Sequence, residues 1–108
     1  MNDVIIGHGN LAGKGIYANR DFMEGEVVIV YHLIPLTEQE FKNLPQDEKE
    51  FVHIHRGIIH LYSKPERYVN HSENPNTRQD LFYNCDIARR DIKKGEMITT
   101  DALKDDIT

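Results

Sequence analysis

Arg67-Tyr68-Val69-Asn70-His71-Ser72-Glu73-Asn74-Pro75-Asn76 (RYVNHSENPN) is the densest run of chemistry in the chain. An aromatic and an aliphatic residue come first. Three polar side chains, Asn70, His71 and Ser72, follow at once, and Asn74-Pro75-Asn76 marks a sharp turn. Polar groups placed straight after an apolar pair need water, protein partners or a ligand to satisfy them. By residue type alone the run reads as a polar loop or as a binding segment, and its surroundings must decide.

Those surroundings are modest. The chain has 108 residues, the size of one domain, so a single domain over residues 1–108 is expected. Hydrophobic residues make up 39% and charged residues 29%, as in ordinary soluble domains. No apolar run approaches the ~20 residues of a membrane span. The N-terminus, MNDVIIGHGN, lacks a charged segment followed by an apolar one, so no signal peptide is expected. Thirteen Lys and Arg against 18 Asp and Glu give a net charge of -5. That balance argues against direct nucleic-acid binding, which needs a basic face. It is compatible with a basic peptide partner. The lone Cys85 excludes an internal disulfide and any Cys-rich zinc site. Its apolar and aromatic neighbours predict a buried, inert thiol, and a cytoplasmic location is expected.

Strand signals dominate. Asp3–Ile6 is short and apolar. Glu26–Ile34 (EVVIVYHLI) is β-branched and nearly continuous in apolar character, which predicts one strand covered on both faces. Ile58–Tyr62 and Asp80–Tyr83 read as further strands. Thr37 with Glu40 three residues on is a capping-box pattern, giving a short helix with Phe41 and Leu44 on its apolar face. Pro45 ends it, and Gln46–Val52 reads as a second short helix. No βαβ alternation is present, so a dinucleotide fold fits poorly.

Two segments resemble each other. Ala18–Val28 is ANRDFMEGEVV and Ala88–Ile98 is ARRDIKKGEMI. Gly25 and Gly95 fall at matching places and are expected to take positive φ. The pair reads either as two similar hairpin corners or as two related β-units. Gly13-Lys14-Gly15 is a glycine-rich turn without Walker spacing or a strand-to-helix context. His53 and His55 on a strand would share a face, with His60 nearby, as in a small metal-binding β-barrel. Glu66 and Asp80 are carboxylate ligands only by elimination, and a solvated histidine face is the simpler reading.

The ordered combination carries more than any single motif. RYVNHSENPN resembles the signature of the SET-domain family of protein-lysine methyltransferases: Arg, aromatic, aliphatic, Asn-His-Ser, two variable positions, then Pro-Asn. Gly13-Lys14-Gly15-Ile16-Tyr17-Ala18 resembles that family's N-terminal Gly-x-Gly segment. Ile92-Lys93-Lys94-Gly95-Glu96-Met97-Ile98-Thr99 resembles its C-terminal Gly-Glu-Glu-(Leu/Ile)-Thr segment. The resemblance implies a mainly β, SET-like β-clip fold of several small sheets, with one or two short helices and a knot-like C-terminal arrangement. It implies methyl transfer from S-adenosylmethionine to the lysine of a protein or peptide. The backbone of Lys14, Gly15 and Ile16, with Arg67, Tyr68, Asn70 and His71, would hold the cofactor. The protein in such a reaction supplies binding and orientation, because the cofactor carries the activated methyl.

One departure stands out. The position of the family's catalytic tyrosine is Ala102, which has neither hydroxyl nor ring. Three expectations follow. The domain binds cofactor or peptide without catalysis, another tyrosine (Tyr17, Tyr31, Tyr62, Tyr68 or Tyr83) enters the site, or Ala102 is an introduced change. So short a chain also leaves room for a homodimer whose partner closes the cofactor cleft.

Overall fold

In a computed structural model, residues 3–101 are described. The described residues form ten strands: β1 (Val4–Leu11), β2 (Lys14–Ala18), β3 (Val27–Val30), β4 (Leu33–Leu36), β5 (Val52–His55), β6 (Ile58–Tyr62), β7 (Asn70–His71), β8 (Thr77–Asp80), β9 (Cys85–Ala88) and β10 (Met97–Thr100). Two short helices, α1 (Glu38–Lys42) and α2 (Gln46–Lys49), precede β5, and a 3-10 turn at Glu66–Tyr68 precedes β7. The strands make three small sheets in the orders β1-β2-β10-β7, β3-β9-β8 and β4-β6-β5. These are open sheets with edges, which overturns the closed barrel of the histidine-based reading.

The long apolar run does not form one strand. Residues 27–30 pair with β9, whereas residues 33–36 pair with β6 in a different sheet. The break falls at Tyr31 and His32. Tyr31 is buried with its hydroxyl on Asp86, and the His32 amide donates to the Glu66 carboxylate. Specific polar partners thus override β propensity at these two residues. Val27, Val30 and Ile34 are exposed, so the expected cover on both faces is also absent.

Other boundaries moved less. The first strand runs past Ile6 to Leu11 with a bulge between His8 and Leu11. Gly9 serves this bulge: a Cβ there would lie 2.3 Å from the Lys14 carbonyl oxygen. The strand expected at Asp80–Tyr83 is a hairpin tip, and only Asp80 belongs to β8. Phe82 and Tyr83 stack edge to face with centroids 4.8 Å apart, and both are exposed. The capping box is as expected, with Thr37 accepting from the Glu40 amide and Glu40 returning the bond. α2 ends at Lys49 instead of Val52, because Val52 opens β5.

The two similar segments pack against each other. Phe22 and Ile92 exchange both backbone hydrogen bonds, at 2.7 and 2.9 Å. The Ala18 amide donates to the Glu96 carbonyl, and the Ala88 amide donates to the Glu26 carbonyl. The Gly25 amide reaches Ala88, and the Gly95 amide reaches Ala18. Asp21 caps the Lys94 amide and Asp91 caps the Glu24 amide, at 2.8 and 2.9 Å. Every bond has a counterpart with the two segments exchanged. The strands follow suit, since β2 pairs with β10 and β3 with β9. This is a local two-fold relation, and it favours two related β-units over coincidental corners. Gly25 and Gly95 have φ of 90° and 95°, as expected. Ile16, Phe22, Ile92 and Ile98 are fully buried around this junction.

Cys85 is buried, as expected, and burial pushes its thiol pKa up, with the charge of Asp80 acting in the same direction. Thiol reagents act on the thiolate. Iodoacetamide at neutral pH is therefore expected to modify native protein ~100-fold more slowly than urea-unfolded protein, because labelling waits on opening. Equal rates would overturn this assignment.

Candidate functional site

The site begins where the N-terminal glycine turn, the Asn-His-Ser segment and the last described strand converge. Ala12 and Gly13 make the turn between β1 and β2, with φ of 53° and 78°. β10 lies between two neighbours. Met97 and Ile98 pair antiparallel with Tyr17 and Ile16, and then Thr99 and Thr100 pair parallel with Asn70 and His71. Asn76 fastens this junction: its Nδ2 donates to the Met97 carbonyl at 2.8 Å and its Oδ1 accepts from the Thr99 amide at 2.9 Å. The Ser72 amide donates to the Thr100 carbonyl, and the Thr77 hydroxyl to the Thr99 carbonyl. Three motifs far apart in sequence thus share one corner of the fold.

Asn70 sits at its centre, 3% exposed. Nδ2 donates to the carbonyls of Lys14 (2.9 Å) and Tyr68 (2.8 Å), and Oδ1 accepts from the Asn10 amide (2.7 Å). Both amide hydrogens are thereby occupied by protein. Gly15 lets the two segments approach, since a Cβ on it would lie 3.3 Å from Asn70 Nδ2 and 3.1 Å from the His8 carbonyl oxygen.

The other expected site residues divide into two groups. Arg67 is turned inward: Nε donates to the Tyr62 carbonyl at 2.9 Å, Nη1 pairs with Glu48, and the guanidinium lies 4.7 Å from the Phe51 ring centroid. Tyr68 and Ile16 are buried. These residues build the frame. Lys14 and His71 face solvent. Lys14 Nζ stands 5.0 Å over the Tyr68 ring, and His71 Nδ1 lies 3.7 Å from Asp101. Tyr17 packs its ring over Gly7 and donates its hydroxyl to the His8 carbonyl at 2.7 Å, and it is not part of the cavity beside the motifs. Ala102 lies outside the described residues.

That cavity, of about 110 Å³, lies between the motif corner and the sheet of β4, β5 and β6. Leu11, Phe51 and Val69 give it apolar walls, and Tyr31, Tyr62, His53 and Thr100 line it as well. Asp86 is 0% exposed and accepts the Tyr31 hydroxyl. Glu66 is also buried; its Oε2 holds His32, while its Oε1 has no hydrogen-bond partner. Sequence reasoning touched this set only in part, with Tyr31 and Tyr62 among five candidate tyrosines and His53 and Glu66 as candidate metal ligands. The only local sign was a charged residue, Asp86, between Cys85 and Ile87 in a strand.

The histidines are less exposed than a solvated face would be. His55 is buried with Nε2 2.8 Å from the Tyr62 hydroxyl, and the His53 ring lies 4.6 Å from the Tyr62 ring. Tyr62 holds them through this hydrogen bond and a tilted ring contact. Among the described residues no group of three or more His, Cys, Asp or Glu is arranged to hold a metal.

A family model for the SET domain matches residues 13–101. The chain belongs to the SET-domain family. Among solved structures, the crystal structure of a Plasmodium falciparum protein assigned as a histone methyltransferase superposes on this SET domain with a TM-score of 0.71. The two share 17% identity, over 94% of this chain and 93% of that one, so this likeness shows the fold. No curated protein matches the sequence. The several small sheets and two short helices are those of a SET-like domain. The matched stretch contains all three convergent motifs and every residue that lines the cavity except Leu11.

Proposed function

We propose that this SET domain transfers a methyl group from S-adenosylmethionine to the side-chain amine of a protein lysine. The observation that carries the reading is the convergence of Lys14-Gly15, Asn70-His71 and Thr99-Thr100 beside a small, partly aromatic cavity. The chemistry of the exposed groups fits the cofactor. Lys14 is a cation suited to the amino-acid carboxylate, and His71 with the adjoining backbone offers polar contacts at the same corner. Arg67, Tyr68 and Asn70 act from beneath, holding the Lys14 and His71 segments in place. When bound, S-adenosylmethionine supplies a methyl group on a positively charged sulfur. The chain's residues do the rest. Leu11, Phe51 and Val69 exclude water from the incoming amine, and desolvation favours the neutral form that can attack. Tyr31, fixed by Asp86, narrows the space in which the amine can align.

Calorimetric titration with S-adenosylmethionine tests the site. Binding is expected, and Lys14→Glu is expected to weaken it ~10-fold or more by opposing the carboxylate. An unchanged affinity would remove Lys14 from the site. Intact-mass analysis after incubation with lysine peptides tests transfer. Ala102 favours a second reading, a domain that binds cofactor and peptide without turnover; cofactor binding with no mass gain would select it.

A further inference from the structure

We infer that the peptide partner of this domain carries an acidic residue next to the lysine it presents, read by Arg78 and Arg89. The inference rests on the proposed lysine site and adds the character of its flanks.

A second, more open cavity of about 410 Å³ lies against the first. Gln79 and Thr100 line both, so the two spaces meet across these residues. They differ in charge. Glu50, Glu66 and Asp86 line the inner cavity against one cation, Arg67, which is paired with Glu48, and Arg78 and Arg89 line the outer one against a single carboxylate, Asp101. At the junction and in the inner space, Gln79 Oε1 and Glu66 Oε1 are buried acceptors without hydrogen-bond partners. Buried acceptors left unsatisfied are uncommon in native proteins and call for a donor. A lysine amine brings the N–H donors that these acceptors lack. A cavity of this volume is smaller than the ~150 Å³ that holds benzene, so it suits the slim end of one side chain.

The outer cavity asks for the opposite charge. Both arginines are exposed, and among the described residues neither forms an ion pair. Asp101 is at the rim, directed to His71. On a chain of net charge -5, two such cations beside one groove form a local exception. β8, which carries Arg78, is an edge strand, so an extended peptide can lie along it. A lysine entering past Gln79 then places its sequence neighbours at Arg78 and Arg89. Carboxylates there meet complementary charge, and basic neighbours meet repulsion.

The test is equilibrium binding of fluorescent pentapeptides at low salt, followed by anisotropy. Lysine flanked by glutamate is expected to bind ~10-fold tighter than lysine flanked by alanine, as for two exposed ion pairs of up to ~1 kcal/mol each. The advantage should shrink at high salt. Arginine flanks should bind weakest. The doubly substituted Arg78→Glu, Arg89→Glu protein, checked for native circular dichroism, should reverse that order. Equal binding of glutamate- and alanine-flanked peptides would overturn the inference, as would an unreversed order in the variant. Failure of the methyl-transfer reading would show separately, in the cofactor titration.

Discussion

Asn70→Ala is expected to lower stability by about 3 kcal/mol or more, whether or not cofactor is present. The substitution strands three backbone groups: the Asn10 amide and the Lys14 and Tyr68 carbonyls, the last of them fully buried and the other two partly. Each lost hydrogen bond costs roughly 1 kcal/mol net, rising to ~1–3 kcal/mol where the group left behind is buried. In a domain whose total stability is ~5–15 kcal/mol, this is a large share. Thermal unfolding should show a midpoint lower by ~15 °C, at roughly 4–8 °C per kcal/mol for a domain of about this size. Asn70→Asp keeps the acceptor for Asn10 and loses both donors, so it should also be strongly destabilising. The family resemblance implied a cofactor contact for Asn70. The geometry makes it a fastening between the glycine turn and the motif. A loss of less than ~1 kcal/mol for the alanine variant would show that water or local shifts replace its bonds.

Phe22→Ala is expected to cost ~3–5 kcal/mol and Ile92→Ala ~2–5 kcal/mol, the range for large side chains deleted from a packed core. Phe22 is 1% exposed and Ile92 0%. They face each other where the two related segments exchange backbone hydrogen bonds. Urea unfolding of both single variants and of the double variant would measure their coupling. Neighbouring core residues usually couple by 0.5–3 kcal/mol. The double variant should therefore depart from the sum of the singles by that order. Strict additivity would mean that the two halves of the junction hold independently, which the reciprocal bonding denies.

Residue patterns show some of this structure and hide the rest for definite reasons. The capping box at Thr37 and Glu40, the β6 strand and the positive φ of Gly25 and Gly95 are local, and local chemistry fixes them. The convergence of three motifs was legible through their order. The split of the run from Glu26 to Ile34 was not, because it depends on Asp86 and Glu66, each more than thirty residues away. For the same reason the cavity was invisible, since its carboxylates and tyrosines come from separate sheets and turns. Arg67 and Asn70 were identified by motif: a motif gives position, and only contacts reveal that these side chains point inward.

The insertion of β10 between β2 and β7 also bears on how the chain is made. A ribosome releases Lys14 early and Thr100 near the end of this sequence, yet these ends of the SET domain must lie side by side. Until the last strand emerges, β2 has lost one of its neighbours, the Phe22 segment has no counterpart, and the Asn-His-Ser corner lacks Thr99 and Thr100. No shorter N-terminal piece encloses the junction of Ile16, Phe22, Ile92 and Ile98. Native structure at this junction is thus acquired only once β10 has emerged. The long-range pairings place folding toward the slow, millisecond-to-second end for small domains. During that interval the aliphatic strands remain open to other chains.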